Sequence, residues 1–344
     1  MKIIDLRSDT LTQPNDEMRE IMASAAVGDD VFDEDPTINQ LQNSIAEMTG
    51  KEAALFVASG TQANQISINA HTQPGDEVIC ESRSHIFNYE AGAAGALAGV
   101  QLHPIYGKYG ILNPEEVEAA IRPTDHHYAQ TRLIALENTN NRWGGTVYPL
   151  KEIKQIRKIA RKHRINMHLD GARLWNASIA TNTPIREFTS PFASVSLCFS
   201  KGLGAPVGSI VAGSKKFIER AHYYRKMYGG GMRQAGILAA AALYAMKHNF
   251  SRLEDDHRRA RILAEAVNQI PGMVVNMQTV ETNIIILDTS LCRRKAPEIV
   301  EVLAEKGIRM MAFSPTRIRA VLHLHITDED IDRTIETMKS LQLG

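Results

Sequence analysis

The sequence predicts an α/β protein: a mostly parallel sheet flanked by helices in a large domain, followed by a smaller C-terminal α+β domain. Two observations lead there. Between residues 52 and 213, short runs rich in Val, Ile and Leu alternate with stretches of helical period. Their apolar residues fall on consecutive positions, as strands buried on both faces require, and strand–helix alternation builds a parallel sheet. After residue 214 the pattern changes to long helices and then to a compact strand–helix tail. A chain of 344 residues exceeds what one small core organises, so we place the division at 1–248 and 249–344.

Taken in order, PTINQLQNSIAEMTG sets Ile38, Leu41, Ile45 and Met48 on one helical face and stops at Gly50. The strand candidates AALFVAS, EVICE, VQLHPIY, TRLIALEN, INMHLD, ASVSLCF and GSIVAG follow. Among the helices between them, PLKEIKQIRKIARKH aligns Leu150, Ile153, Ile156 and Ala160. GAAGALAG, at 92–99, lacks a surrounding apolar twenty-mer and is expected to make a close helix–helix or helix–sheet contact. KKFIERAHYYRKMY, ILAAAALYAMKHN and RLEDDHRRARILAEAVNQI read as long helices, the last stopped by Pro271-Gly272. The tail alternates strands (MVVNMQ, TNIIILD, RAVLHLHI) with helices (KAPEIVEVLAEKG, DEDIDRTIETMKSL), and Met310 and Met311 are expected in its core.

Composition narrows the function. Lys plus Arg equals Asp plus Glu at 39 each, so no global field favours nucleic acid or an anionic membrane. Cys80, Cys198 and Cys292 fit neither a disulfide framework nor a metal spacing, and a reducing compartment suits them. MKIIDLRSDTLT carries Asp5, Arg7 and Asp9 where a signal peptide needs an apolar core, and no run reaches membrane-helix length. A cytoplasmic protein with no metal is expected.

One stretch carries the chemistry. CFSKGLGAPVGS breaks an apolar run into glycines directly after Lys201. Its glycines at 202, 204 and 208 are spaced too widely for a dinucleotide fingerprint, and no Gly-Lys-Ser/Thr follows for a phosphate-binding Walker loop. A second strand ends at Asp170 in INMHLDGAR. Residues at the carboxyl ends of parallel strands line the ligand crevice, so Lys201 and Asp170 can face one molecule from opposite sides. An amine able to form a Schiff base, with a carboxylate to keep a pyridine nitrogen protonated, is what pyridoxal phosphate needs. An ordinary ion pair accounts for those two residues equally well. The phosphate has its own cradle in ALFVASGTQANQ, where Ser59, Gly60 and Thr61 open a helix whose first N–H groups are free for an anion.

LRSDT, VGDDVFDEDP, LFVASGTQAN, HIFNYEAGA, LENTN, HLDGARLWNA, SKGLGAPVGS and RKMYGGGMRQAGILAAA occur in order over nearly the whole chain. Together they resemble the low-specificity L-threonine aldolases, pyridoxal-phosphate enzymes of the aspartate aminotransferase fold grouped with the β-eliminating lyases. The resemblance implies that Lys201 carries the cofactor, Asp170 meets its ring nitrogen, Gly60 and Thr61 hold its phosphate, and His85 stacks on its ring. It implies that Ser8, Arg173 and Arg319 hold a substrate carboxylate, for which a planar guanidinium is well suited. His127 would lie near the substrate β-hydroxyl, and Lys226 and Arg233 near the phosphate, reaching from a neighbouring subunit of a homotetramer built from dimers. Either His85 or His127 would take the hydroxyl proton, directly or through a water. Two positions depart from the pattern: Phe32 replaces a usual tyrosine and Asn140 a usual histidine. The implied reaction is retro-aldol cleavage of threonine or allo-threonine to glycine and acetaldehyde. A β-elimination, a transamination or a catalytically silent cofactor carrier would share Lys201 and Asp170.

Overall fold

The computed structural model describes residues 2–341. Seven strands form the large sheet: β2 (Ala53–Val57), β3 (Glu77–Glu81), β4 (Gln101–Ile105), β5 (Thr131–Glu137), β6 (Asn166–Gly171), β7 (Ser194–Cys198) and β8 (Ser209–Gly213). They lie in the order β2-β8-β7-β6-β5-β3-β4, parallel except for β8, which runs antiparallel to both of its neighbours. Every residue of β3, β7 and β8 is buried, as the unbroken apolar runs require. The expected helices cover the faces. Pro36–Thr49 buries Ile38, Leu41 and Ile45 and ends on Gly50 in the left-handed region at φ 64°, while Leu150–Lys162 buries Ile153, Ile156 and Ala160. The small-residue stretch forms the helix Ala93–Ala98, which packs on the helix Gly60–His71.

The C-terminal unit has its own core. β9 (Val274–Val275), β10 (Ile284–Asp288), β12 (Met311–Ser314) and β13 (Arg317–Val321) form an antiparallel sheet, with the helices Leu253–Val267, Ala296–Glu305 and Asp328–Lys339 around it. Met310 is buried there, whereas Met311 is exposed, because neighbouring residues on an extended chain point to opposite sides. The N-terminal segment also differs from the sequence division. β1 (Ile4–Asp5) pairs in parallel with β11 (Ile308–Arg309), and Ile4 and Leu6 are buried in the C-terminal core. The first strand thus belongs by packing to the smaller unit, and residues 7–9 cross from it to the large sheet.

Candidate active site

β5, β6 and β7 end side by side, and their carboxyl ends deliver Glu137, Asp170 and the 198–201 segment to one cavity of about 140 Å³. Lys201 lines it from the turn after β7. That turn closes with Gly204 N–H donating to Lys201 C=O at 2.8 Å, Gly204 lying at φ 81° where a side chain is disfavoured. Asp170 is buried, and its Oδ2 accepts from Asn64 Nδ2 at 2.8 Å. Ser59 caps the helix Gly60–His71 with its hydroxyl, accepting from Gln62 N–H at 3.1 Å, and Ser59, Gly60 and Thr61 all line the cavity. The Gly60 and Thr61 N–H groups precede the first intrahelical bond, from Ala63 N–H to Ser59 C=O. A Cβ on Gly60 would lie 2.8 Å from Cys198 Sγ, so the close approach of helix and strand here requires glycine.

His85 joins the cavity from the loop after β3. Its Nδ1 sits 2.8 Å from Glu90 Oε1, and its backbone N–H donates to Glu137 Oε2 at 2.7 Å. Burial lowers the His85 pKa, but the hydrogen bond to Glu90 and the charge of Asp170 prevail, so it rises. Glu90 also accepts from Asn64 Nδ2 at 2.8 Å and from Gln65 Nε2 at 2.5 Å. Asn64 therefore spends both amide hydrogens, on Glu90 and Asp170, and ties the histidine to the aspartate. Its Oδ1 must accept, from Ser196 Oγ at 3.0 Å and from His168 Nε2 at 3.2 Å. That choice leaves His168 Nδ1 to accept from Ser194 Oγ at 2.8 Å, and burial drives the His168 pKa down to about 4, so the ring stays neutral. Glu137 is pushed up, first by burial and then by the neighbouring Asp170 charge.

Arg173 reaches the cavity with a preset orientation. Asp9 accepts from its Nε and Nη2, each at 2.7 Å, which leaves Nη1 without a partner among the described residues. Burial would raise the Asp9 carboxyl, yet the Arg173 charge, its hydrogen bonds and Lys201 outweigh burial and hold it at about 2. Arg319 lines an adjoining cavity of about 300 Å³ that shares His85 and Asn141 with the first. Its Nη1 donates to Asn141 Oδ1 at 2.9 Å and its Nη2 to Arg7 C=O at 3.0 Å, while its buried Nε has no partner. Burial and the Arg173 charge lower its pKa to about 10. Ser8 lines neither cavity; it stands in the chain between Arg7 and Asp9, the partners of Arg319 and Arg173, and its hydroxyl accepts from Thr10 N–H at 3.2 Å.

The chain matches the family described as β-eliminating lyase over residues 5–290. It belongs to that family. It is 44% identical over 348 residues to "Low-specificity L-threonine aldolase 1" of Arabidopsis thaliana, covering 100% of this chain and 97% of the relative. It is 41% identical over 330 residues to "Low specificity L-threonine aldolase" of Escherichia coli strain K12, covering 96% of each. Its fold is similar to that of a solved Leishmania major threonine aldolase, with TM-score 0.85, 20% identity and 98% coverage of both chains. The mostly parallel sheet is thus the fold-type-I architecture of the family.

The family's cofactor is pyridoxal phosphate, and the residues present fit it. The glycine-lined helix start offers two free N–H groups to a phosphate, Lys201 offers an amine, and Asp170 offers a buried carboxylate to the same cavity. The buried Thr139 hydroxyl lines the cavity with no partner of its own.

Three of the residues expected at the site lie elsewhere. His127 is on an exposed turn, with its Nδ1 2.7 Å from Asp125 Oδ1. That turn precedes β5 and so sits at the amino ends of the strands, the rim opposite the cavity. Lys226 and Arg233 are also exposed, Arg233 pairing with Asp29 at 3.0 Å. None of the three lines either cavity described above. Conversely, the sequence reading assigned nothing to Asp9, Asn64, Glu90 or Glu137. Asp9 sits in LRSDT, Glu90 in HIFNYEAGA and Glu137 in LENTN, so position within those motifs was the available signal. Of the two departures, Phe32 is exposed far from a packed role, whereas Asn140 is buried and accepts from Arg142 and Trp143 N–H at 3.1 and 3.2 Å. It shapes the turn that presents Asn141 to Arg319.

Proposed function

We propose that this protein is a pyridoxal-phosphate-dependent aldehyde-lyase that reversibly cleaves L-threonine, L-allo-threonine and related β-hydroxy-α-amino acids to glycine and an aldehyde. The observation that carries this reading is the convergence of Lys201, Asp170, His85 and Arg173 on one cavity, with Arg319 in the adjoining one. When bound, the cofactor supplies the electron sink that makes cleavage of a Cα–Cβ bond accessible. Ser59, Gly60 and Thr61 hold its phosphate, Lys201 supplies the amine that anchors it, and Asp170 keeps its ring nitrogen protonated. Asn64 fixes the Asp170 carboxylate in the plane it must present.

Arg173 and Arg319 hold the substrate carboxylate, one through its unpartnered Nη1 and the other through its unpartnered Nε. With the carboxylate clamped, the orientation of the bond to be broken is set by binding rather than by chance. Proton removal from the β-hydroxyl falls to His85, whose Nε2 is free while Nδ1 is held by Glu90. The chain's own His127 is on the wrong rim for this task. A cytoplasmic homotetramer with cavities between subunits is the assembly in which His127, Lys226 and Arg233 can contribute. No helix among the described residues is long and apolar enough to cross a membrane.

The test is product analysis with both threonine diastereomers and with phenylserine. Glycine plus the matching aldehyde supports the reading. Pyruvate with ammonia, or a keto acid, overturns it in favour of elimination or transamination.

A further inference from the structure

Outside the catalytic cavity, three arginines converge without an acidic partner. Arg83, Arg142 and Arg317 line a cavity of about 390 Å³, and none of them has a carboxylate oxygen within 4.0 Å among the described residues. Tyr89, Arg142 and Phe313 line both this cavity and the one that holds Arg319, so the two are continuous. The guanidiniums are held in place by aromatic faces rather than by acids. Arg83 lies 4.5 Å from the centroid of Trp143, and Arg142 lies 4.2 Å from that of Phe313. Arg317 and Arg319 stand two apart on β13 and share a face, so their backbones are about 7 Å apart. Two acidic residues are near: Asp288, the register partner of Arg317, which lies beyond salt-bridge reach of it, and the buried Glu81, which accepts from Ser82 Oγ and from the backbone N–H groups of Arg83 and Gly107 and has no guanidinium within ion-pair distance among the described residues.

We propose that this arginine cluster is a specificity site for β-hydroxy-α-amino acids whose side chain ends in a carboxylate. The inference rests on the lyase reading above and names a substrate class for it. Arg173 of the inner cavity and Arg319 of the adjoining one take the α-carboxylate where the two meet, and the side chain leads outward past Tyr89 and Phe313 to a further, cationic pocket. A guanidinium fork already oriented by stacking loses little freedom on binding a carboxylate, which favours an anionic tail over a neutral one of the same shape. The net charge of the protein is zero, so the preference is a property of this pocket and not of a general field.

The test compares 4-carboxyphenylserine with its neutral 4-carboxamide on the pyridoxal-phosphate-loaded enzyme. The expected ratio of kcat/KM is at least about tenfold in favour of the carboxylate, the size of one charge-assisted contact, and it should shrink as salt is raised. R317E should abolish or invert that ratio and favour 4-aminomethylphenylserine. Equal kcat/KM for the carboxylate and the carboxamide, or a ratio unmoved by R317E, overturns the proposal. Equilibrium binding of the same pair to K201A by calorimetry keeps the two readings separable. A carboxylate preference in binding with no aldehyde from any substrate refutes the lyase reading alone, and equal binding refutes the specificity site alone.

Discussion

At the amino ends of β3, β4 and β5, Glu77 is fully buried and both of its oxygens are engaged. Oε1 meets Thr131 Oγ1 at 3.0 Å and His103 Nδ1 at 3.2 Å, and Oε2 meets Arg122 Nε at 3.1 Å. At the carboxyl end of β5, Glu137 is also buried, but it accepts only from the backbone N–H groups of His85 and Asn141 and has Asp170 as its register partner. No cation among the described residues lies within ion-pair distance of that pair of acids. Both clusters are polar and buried, and they sit at opposite ends of β5. The first is closed, every group answered by another side chain, while the second leaves the Thr139 hydroxyl and the Arg319 Nε unanswered around it. A buried charge cluster that satisfies itself stabilises a fold, and one that does not is built to meet a ligand.

Breaking the open cluster should cost activity and leave the fold. K201A is expected to eliminate the near-visible absorbance of the loaded enzyme and to lower glycine release by about 10⁴-fold or more, with an unchanged melting temperature. D170N should retain the absorbance and lose about 10²–10³-fold in kcat, the scale of removing one electrostatic partner of the reacting system. A D170N enzyme as fast as the parent would show that the carboxylate is structural.

Breaking the closed cluster should do the reverse. E77A leaves Arg122 and His103 without their acid, at an expected cost of about 2 kcal/mol, below that of a wholly buried pair because Arg122 is 35% exposed. Denaturant unfolding measures it, and kcat per folded molecule should not change. If E77A instead lowers kcat at constant stability, the contrast between the two ends fails.

The His168 network sharpens the comparison through pH. Its folded pKa of about 4 lies below the ordinary 6.5, so below pH 6.5 the unfolded chain binds the proton and the folded protein does not. Stability from this group is complete above pH 6.5 and falls by about 2 kcal/mol on acidification to pH 5. H168N should flatten that part of the profile in urea titrations; an unaltered slope would assign it to other groups. The smallest effect is expected from G60A, where a methyl group 2.8 Å from Cys198 Sγ disturbs the phosphate cradle. Titration of the cofactor-free enzyme with pyridoxal phosphate should show affinity about tenfold weaker.

Much of this architecture was legible in the sequence. Unbroken apolar runs marked the buried strands, a 3.6-residue period marked the helices, and Lys201 and Asp170 stood at strand ends where a ligand crevice forms. Asn64, Glu90 and Glu137 were not legible in this way. Asn64 lies mid-helix and looks like any polar residue, and it acquires its role only because β6 and the loop after β3 bring Asp170 and Glu90 to its two amide hydrogens. The position of His127 was illegible for the converse reason: a motif match carries no information about which rim of a sheet a loop occupies, and within one chain His127 lies on an exposed turn away from the cavity.

By itself, the sequence determined the elements, their alternation and the chemical types available at the strand ends, because backbone period and apolar patterning are local properties. Tertiary structure alone decided which charges are answered. Asp9 and Arg173 are far apart in the chain, as are Arg7 and Arg319, and they meet only because β1 joins the C-terminal unit while residues 7–9 cross to the large sheet. Contacts of that kind depend on packing between distant segments, which no window of sequence contains.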